Sequence, residues 1–278
     1  MSSTRQLVLF FAIAFAFTWI VGGCMMFWHL RIEFMIVASL GPTIAALITQ
    51  RLSTGNWRAF RFNVSWPHTL AATGIGATLV VASEILLPAI ATVDPGKLRW
   101  GALFSLGNYN WSTLLGGPLT EEPGWRGFAL PRLQEHFHPL IASVLLGSFW
   151  AAWHVPFFWY PGWSECPIPT YFLILTGFSI MLTFATNVAN FGVIAAVVMH
   201  AIHNTSGKYF HGLFADAQPG HGGLLNSLMQ VLPNGWQTNV NLSFYMLIAL
   251  CAWIGAIVVI TATHGRLAVR AKSPQGPG

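Results

Sequence analysis

Charged side chains are scarce in this chain. Only 8% of its 278 residues are charged, and just eight of them are Asp or Glu, whereas a soluble domain carries about 25% charged residues. Hydrophobic residues make up 54% of the chain. This composition excludes an ordinary soluble enzyme and predicts a protein that crosses the membrane several times. We expect one transmembrane, protease-like domain over residues 1–278.

Several motifs of well-known enzymes are also missing. Without HExxH, the usual zinc-protease helix is excluded, and without GxSxG there is no nucleophile elbow. The GxGxxG and GxxxxGK[ST] motifs of nucleotide-binding loops are absent as well, so the sequence does not indicate a nucleotide ligand. The three cysteines, Cys24, Cys166 and Cys251, are widely spaced and lack a CxxC pair. They therefore predict neither a disulfide framework nor a metal knuckle.

Long apolar runs are the main feature that is present. A helix needs about 20 apolar residues to cross a hydrocarbon core of about 30 Å. We therefore predict an all-α, polytopic bundle of about eight transmembrane helices around a polar cavity, with seven helices as the alternative. The runs cover residues 7–30, 34–50, 69–93, 100–120, 139–160, 170–188, 190–207 and 242–263.

The first run also resembles a signal peptide, because it follows Arg5. Val21-Gly22-Gly23-Cys24 is similar to a lipoprotein cleavage box. However, the run is about 25 residues long, which is enough to span the bilayer with some tilt. We expect a retained first helix rather than a cleaved leader.

Basic residues predict the orientation. Lys and Arg collect in cytoplasmic loops of membrane proteins, so the net charge of +5 requires no nucleic-acid partner. With eight helices, one side holds Arg5, Arg51, Arg58, Arg61, Arg132, Arg266, Arg270 and Lys272, and the other holds Arg31, Lys97, Arg99 and Lys208. This bias predicts that both termini are cytoplasmic.

Two adjacent carboxylates, Glu121 and Glu122, follow the fourth run. In a helix, Glu122 and Arg126 lie four residues apart on one face, which suits an ion pair. Glu121 points about 100° away and has no fixed cation. Two close carboxylates in a low dielectric do not both ionise cheaply, so Glu121 should take up a proton readily, as a general base must. A purely structural ion-pair cluster is the alternative.

Helix-interrupting residues surround this pair. Interrupted backbone at membrane depth is tolerated mainly beside a cavity, so these residues predict a cavity next to the carboxylates. They are Gly116, Gly117, Pro118, Pro123 and Gly124.

Two later runs carry polar groups as well. His154 lies deep in the fifth run among aromatic residues, where a lone histidine is more often a core group than a catalyst. His200 and Asn204 are four residues apart and share one helix face, with His203 beside them. These donors suit an oxyanion hole, and the imidazoles suit a metal. Hydrogen bonding between helices is the alternative.

Taken together, these residues resemble the motifs of a known family, the CAAX-processing and bacteriocin-processing (CPBP or Abi) intramembrane endopeptidases. Glu121-Glu122-x-x-x-Arg126 is similar to the family's EExxxR motif, and His200-x-x-x-Asn204 is similar to HxxxN. Trp150-x-x-x-His154 is similar to FxxxH. Its Trp stands where the motif usually has Phe, an exchange expected to change packing more than chemistry. The motifs occur in the family's order within a core of about residues 112–207.

The resemblance implies an intramembrane endopeptidase that acts on a peptide or protein substrate at the membrane. Glu121 would be the general base on a water that His154 helps to position. His200 and Asn204 would stabilise the oxyanion, and Glu122 and Arg126 would organise the site.

The need for a metal is left open by the sequence. Zinc or another divalent cation is one possibility, but Asn is a poor zinc ligand and no ligand pair has a strong spacing. We favour a metal-free glutamate mechanism.

Two other functions are open. One is a non-catalytic membrane immunity factor or scaffold. The other is a proton-coupled transporter that uses Glu84, Glu121 and His154 as a relay. A transporter predicts two halves with matching broken helices, and no such repeat is evident in the sequence.

Overall fold

The fold was analysed in a computed structural model that describes residues 1–59, 66–86, 99–101, 114–213 and 240–268. The regular elements in these ranges are helical, so the predicted all-α fold is confirmed. The helices are α1 (Ser3–Phe27), α2 (Met35–Ser39), α3 (Gly41–Thr54), α4 (Trp66–Val80), α5 (Pro118–Gly124), α6 (Leu130–Gln134), α7 (Pro139–His154), α8 (Ile168–Val188), α9 (Val193–Leu213) and α10 (Val240–Thr263).

Within the described residues, five helical segments are long and apolar enough to cross a membrane, so the chain is a multi-pass membrane protein. They are Ser3–Phe27, Ile32–Thr54, Pro139–Trp159, Ile168–Val188 and Tyr245–Thr263. A shorter apolar helix covers Val193–Thr205. Most of the fourth predicted run and the end of the third lie outside the described residues.

The first helix shows how the sequence produces a span. Ser2 caps it by accepting a hydrogen bond from the backbone N–H of Arg5. Its 25 residues are about 37 Å long at 1.5 Å per residue, which is enough to cross the bilayer. Val8 and Ile20 are each 66% exposed on its outer face. In a membrane this face contacts lipid rather than water.

Small residues allow the helices to pack closely. A Cβ at Gly41 would lie 2.1 Å from the hydroxyl oxygen of Thr18, so α3 approaches α1 at this point. A Cβ at Gly147 would lie 2.9 Å from the Cα of Thr176, which brings α7 against α8. Lipid supplies no hydrophobic force between helices, so close contacts of this kind hold a membrane bundle together.

Arg132 ties the N-terminus to the end of α3. Its Nε donates to Gln6 at 2.7 Å, and its Nη2 donates to Gln50 at 3.1 Å. At the same end of the bundle, the side-chain amide of Asn187 donates to the carbonyl of Leu267 at 3.0 Å. Residues close to several of the arginines that are predicted to be cytoplasmic therefore meet at one end of the bundle. The side of the membrane on which this end lies stays a prediction.

The segment 118–134 runs through the core of the protein. Gly124 packs so tightly on α3 that a Cβ there would lie 2.4 Å from the carbonyl oxygen of Pro42. The predicted interruption at Pro123 is wrong, because Pro123 lies inside α5 and the chain continues through a π-helical turn, Trp125–Ala129, into α6. Pro123 removes one N–H donor, and the helical bonds resume directly after it, because the backbone N–H of Trp125 donates to the carbonyl of Glu121. The helix start at Pro118 agrees with the prediction.

Candidate active site

A cavity of about 440 Å³ lies next to the carboxylate pair. It is lined by Gly116, Glu121, Trp150, His154, Trp163, Ser164, Tyr171, Leu175, His200, His203 and Asn204. The four residues predicted to be catalytic are therefore brought to one cavity from α5, α7 and α9. Glu84 was the other candidate acid, and its side chain lies outside the described part of the chain.

Glu121 lies in the first turn of α5 and is only 3% exposed. Its Oε2 accepts a hydrogen bond of 2.7 Å from the indole Nε1 of Trp150. Its other oxygen, Oε1, faces Gly117 on the cavity side. The two oxygens of this carboxylate therefore have different surroundings.

Glu122 forms the predicted ion pair. Its Oε1 accepts hydrogen bonds from Nη1 of Arg126 at 3.3 Å and from Nδ1 of His200 at 2.7 Å. The Nη2 of Arg126 donates to the hydroxyl of Ser179 at 3.2 Å. Both charged side chains are fully buried, so each compensates for the other in a medium where a lone charge is costly.

The tautomer of His154 follows from its hydrogen bond. Its Nδ1 lies 2.9 Å from the backbone oxygen of Trp150. A carbonyl only accepts, so Nδ1 carries the proton and the Nε2 of the neutral ring keeps a lone pair. The ring stacks on Trp163 at 5.7 Å between centroids. His154 is thus a hydrogen-bond acceptor at the cavity wall.

Three polar side-chain atoms meet beside Gly117. A Cβ placed on this residue would lie 2.9 Å from Nδ2 of Asn204 and 3.3 Å from both Oε1 of Glu121 and Nε2 of His200. One small atom at this point is close to hydrogen-bonding distance from all three. A carboxylate, an imidazole and an amide are therefore arranged around a single position.

This geometry makes Gly117 sensitive to substitution. We expect Gly117→Ala to lower turnover by about 10²-fold, because a methyl group would displace the atoms around it, and a shift of about 1 Å in an active site has that effect. The nearest atoms belong to side chains, so the change in thermal unfolding should be small. Steady-state kinetics and thermal unfolding measure the two effects.

Gly74→Ala is the matched control for this experiment. A Cβ at Gly74, in α4, would meet nothing within 4 Å. We expect that variant to retain wild-type turnover. If Gly117→Ala were equally active, the three polar groups would not act together at this point.

Sequence reasoning missed several cavity residues. The Trp at position 150 was expected to change packing more than chemistry, and the structure shows in addition that its indole N–H donates to Glu121. A buried tryptophan usually finds a partner for its N–H, and this rule was the available signal. Trp163, Ser164 and Tyr171 also line the cavity, but no sequence motif points to them, because they follow α7 in an irregular segment and at the start of α8.

The remaining histidine, His203, lines the cavity without joining the cluster at Gly117. Its ring stacks on Phe178 at 4.2 Å and lies 6.3 Å from that of His200. Within the described residues, no group of three or more His, Cys, Asp or Glu side chains is arranged to hold a metal. Cys24, Cys166 and Cys251, all of which the structure describes, form no disulfide with one another.

Residues 103–206 match the sequence profile of the Rce1-like type II CAAX prenyl endopeptidases. Over this segment, which is less than half of its length, the chain is similar to the Rce1-like family. The match contains α5 to α8 and most of the described part of α9, and hence every residue of the cluster at Gly117. The Rce1-like proteins are a family of proteases, and their CAAX endopeptidase name agrees with the resemblance seen in the three motifs.

A curated relative is the CAAX prenyl protease 2 of Methanococcus maripaludis. It is 28% identical to this chain over 142 residues, which cover 45% of this chain and 52% of the relative. The chain therefore spans about half the length of the curated relative that it matches.

Proposed function

We propose that this protein is an intramembrane endopeptidase that hydrolyses a peptide bond with a water activated by Glu121. The observation that carries the proposal is the convergence of Glu121 Oε1, His200 Nε2 and Asn204 Nδ2 beside Gly117. The site is buried in a membrane bundle, where polar and ionisable groups mark working sites.

Glu121 is the proposed general base. Its Oε1 takes a proton from the water as the water oxygen bonds to the carbonyl carbon of the peptide. The same proton then passes to the leaving amine nitrogen when the carbon–nitrogen bond breaks. His154 accepts a hydrogen bond from the water through Nε2, because its Nδ1 proton is held by the carbonyl of Trp150. General-base catalysis contributes about 10²–10⁴-fold to the rate of such a reaction.

Asn204 and His200 are the proposed oxyanion donors. The amide of Asn204 can donate through Nδ2 in its neutral form. A neutral His200 that donates Nδ1–H to Glu122 has only a lone pair on Nε2 and cannot donate there. The role therefore requires a second proton shared by His200 and Glu122. Glu122 and Arg126 hold this histidine in place and balance charge around it.

The proposed substrate is a peptide or protein at the membrane. The name of the curated relative makes a prenylated C-terminal CAAX peptide the first substrate to test. The cavity wall formed by the segment after α7 and the start of α8 carries Trp163 and Tyr171, which offer apolar ring surfaces to a substrate. A metal-free reaction is part of the proposal, because the base and the oxyanion donors are all supplied by side chains.

A cleavage assay tests this function. We expect the purified protein in phospholipid vesicles to cleave a farnesylated CAAX peptide or another peptide of a membrane-anchored panel, with mass spectrometry locating the cut. Turnover should persist after treatment with EDTA and 1,10-phenanthroline. Loss of turnover that zinc restores would overturn the metal-free mechanism. A folded protein without turnover on the whole panel would favour the immunity or scaffold alternative.

We also propose that the chain works as one unit, residues 1–278, with both termini in the cytoplasm. Support comes from the arginine-rich end of the bundle, where Arg132 binds Gln6 of α1 and Gln50 of α3. Labelling a cysteine introduced at Ser2 with a membrane-impermeant reagent would test this orientation, and labelling from the outer side alone would reverse it.

A further inference from the structure

Trp150 contacts each of the proposed catalytic elements. Its indole N–H donates to Glu121 at 2.7 Å, and its backbone carbonyl accepts from His154 at 2.9 Å. The guanidinium of Arg126 lies 4.5 Å from its ring centroid, and the ring of His200 lies edge-on at 5.1 Å. Trp150 itself is only 1% exposed. The rigid side chain of Trp150, which lies on α7, therefore touches groups from α5 and α9.

The indole N–H distinguishes the two oxygens of Glu121. It occupies Oε2 and leaves Oε1 on the side of Gly117, where the histidine and the asparagine converge. Without this donor, the buried carboxylate of Glu121 would lose the hydrogen bond that fixes its χ3 torsion. A buried acceptor that loses its partner also pays its full desolvation cost. Phenylalanine, which usually occupies this position of the FxxxH motif, has no such donor.

We propose that Trp150 is a positioning residue of the proposed hydrolysis, and that its N–H directs Oε1 of Glu121 to take the proton from water. This inference rests on the proposed function. It assigns a chemical role to a position where the FxxxH motif supplies only an aromatic ring. It also distinguishes the role of the indole N–H from that of the ring.

Trp150→Phe isolates the donor. The variant keeps an aromatic ring against Arg126 and His200 and removes only the N–H and part of the ring volume. We expect kcat to fall about 10- to 100-fold with little change in KM, the range for losing one hydrogen bond to a charged group. The main-chain bond to His154 does not depend on the side chain.

The pH profile supplies a readout that a packing defect would not move. The N–H stabilises the ionised carboxylate more strongly than the protonated acid, so its loss should shift the acidic limb of kcat towards higher pH. The variant leaves the other titratable or charged groups around this carboxylate unchanged. They are Glu122, Arg126, His154, Tyr171, His200 and His203. A lower rate with an unmoved profile would indicate loss of packing alone and would overturn the assignment.

Trp153→Phe is the matched control. Trp153 lies on the same helix and is also 1% exposed, and its indole donates to the backbone oxygen of Ala14 at 3.3 Å rather than to a carboxylate. This substitution removes the same volume and one indole donor. We expect wild-type kcat and pH dependence from it. A matching loss in both variants would show that cavity formation, not the bond to Glu121, explains the effect.

A second measurement does not depend on cleavage. This measurement is the proton NMR signal of the Trp150 indole N–H. The chain has 13 tryptophans, so the signal of Trp150 is identified as the one that disappears in Trp150→Phe. A proton bonded to a carboxylate resonates downfield, and Glu121→Gln should move it upfield, whereas Glu33→Gln should not. A resonance insensitive to Glu121→Gln would overturn the proposal. Wild-type turnover in Trp150→Phe would also overturn the proposal, but it would leave the role of Glu121 intact. If the wild-type protein itself showed no turnover, the proposed function would be refuted. The resonance would still report on the bond between Trp150 and Glu121 in that case.

Discussion

Glu121→Gln is expected to reduce peptide cleavage by at least about 10³-fold, within the range that general-base catalysis supplies. Glutamine has nearly the same shape and can still accept the indole N–H of Trp150 through its amide oxygen. It cannot take a proton from water at neutral pH. The loss should therefore appear in kcat, while thermal unfolding stays close to that of the wild type.

An exposed carboxylate provides the control for this substitution. Glu33 pairs with Arg31 at the surface at 2.7 Å, away from the cavity. Glu33→Gln makes the same chemical change, and we expect full turnover from it. Full activity in purified Glu121→Gln protein, measured with the same substrate, would refute the assignment of the base. His154→Ala should also abolish cleavage if its Nε2 positions the water.

Arg126→Met is expected to give the largest loss of stability. The variant leaves the carboxylate of Glu122 buried without its cation, and breaking a buried ion pair in this way costs about 3–5 kcal/mol. The side chain of Arg126 is 0% exposed, and its other guanidinium bond goes to Ser179. Equilibrium unfolding in detergent micelles, followed by circular dichroism, would measure the free energy of unfolding.

A second substitution tests the cause. Removing both charges in Glu122→Gln/Arg126→Met should recover part of the lost stability, because no buried charge is then left uncompensated. Arg31→Met breaks the exposed pair with Glu33 and should leave unfolding unchanged, since surface pairs contribute little. Equal stability of Arg126→Met and wild type would mean that Glu122 is already neutral in the folded protein.

Local spacing predicted part of the site correctly. The ion pair of Glu122 and Arg126 follows from a separation of four residues, which places both side chains on one helix face whatever the rest of the chain does. The shared face of His200 and Asn204 follows in the same way. Pro123 shows where this reasoning failed, because the helix continues through this proline into a π-helical turn.

Contacts between different helices could not be predicted from the spacing of residues within one helix. The indole N–H of Trp150 reaches Glu121 across 29 residues of sequence, and His200 reaches Glu122 across 78. Both contacts depend on how closely α5, α7 and α9 pack. The small residues that set such distances elsewhere in the bundle, such as Gly41 and Gly147, do not reveal their partners in the sequence.

The amino-acid sequence by itself determined that this protein is a helical membrane protein with a buried ionisable site, because hydrophobic length and the cost of charge in lipid depend on composition and local order. It also predicted which side chains would carry the proposed chemistry. Only the tertiary structure decided that Glu121, His200 and Asn204 meet beside Gly117, and that Trp150 binds one oxygen of the carboxylate. These distances arise from side-chain packing between helices far apart in the chain, which no local pattern encodes.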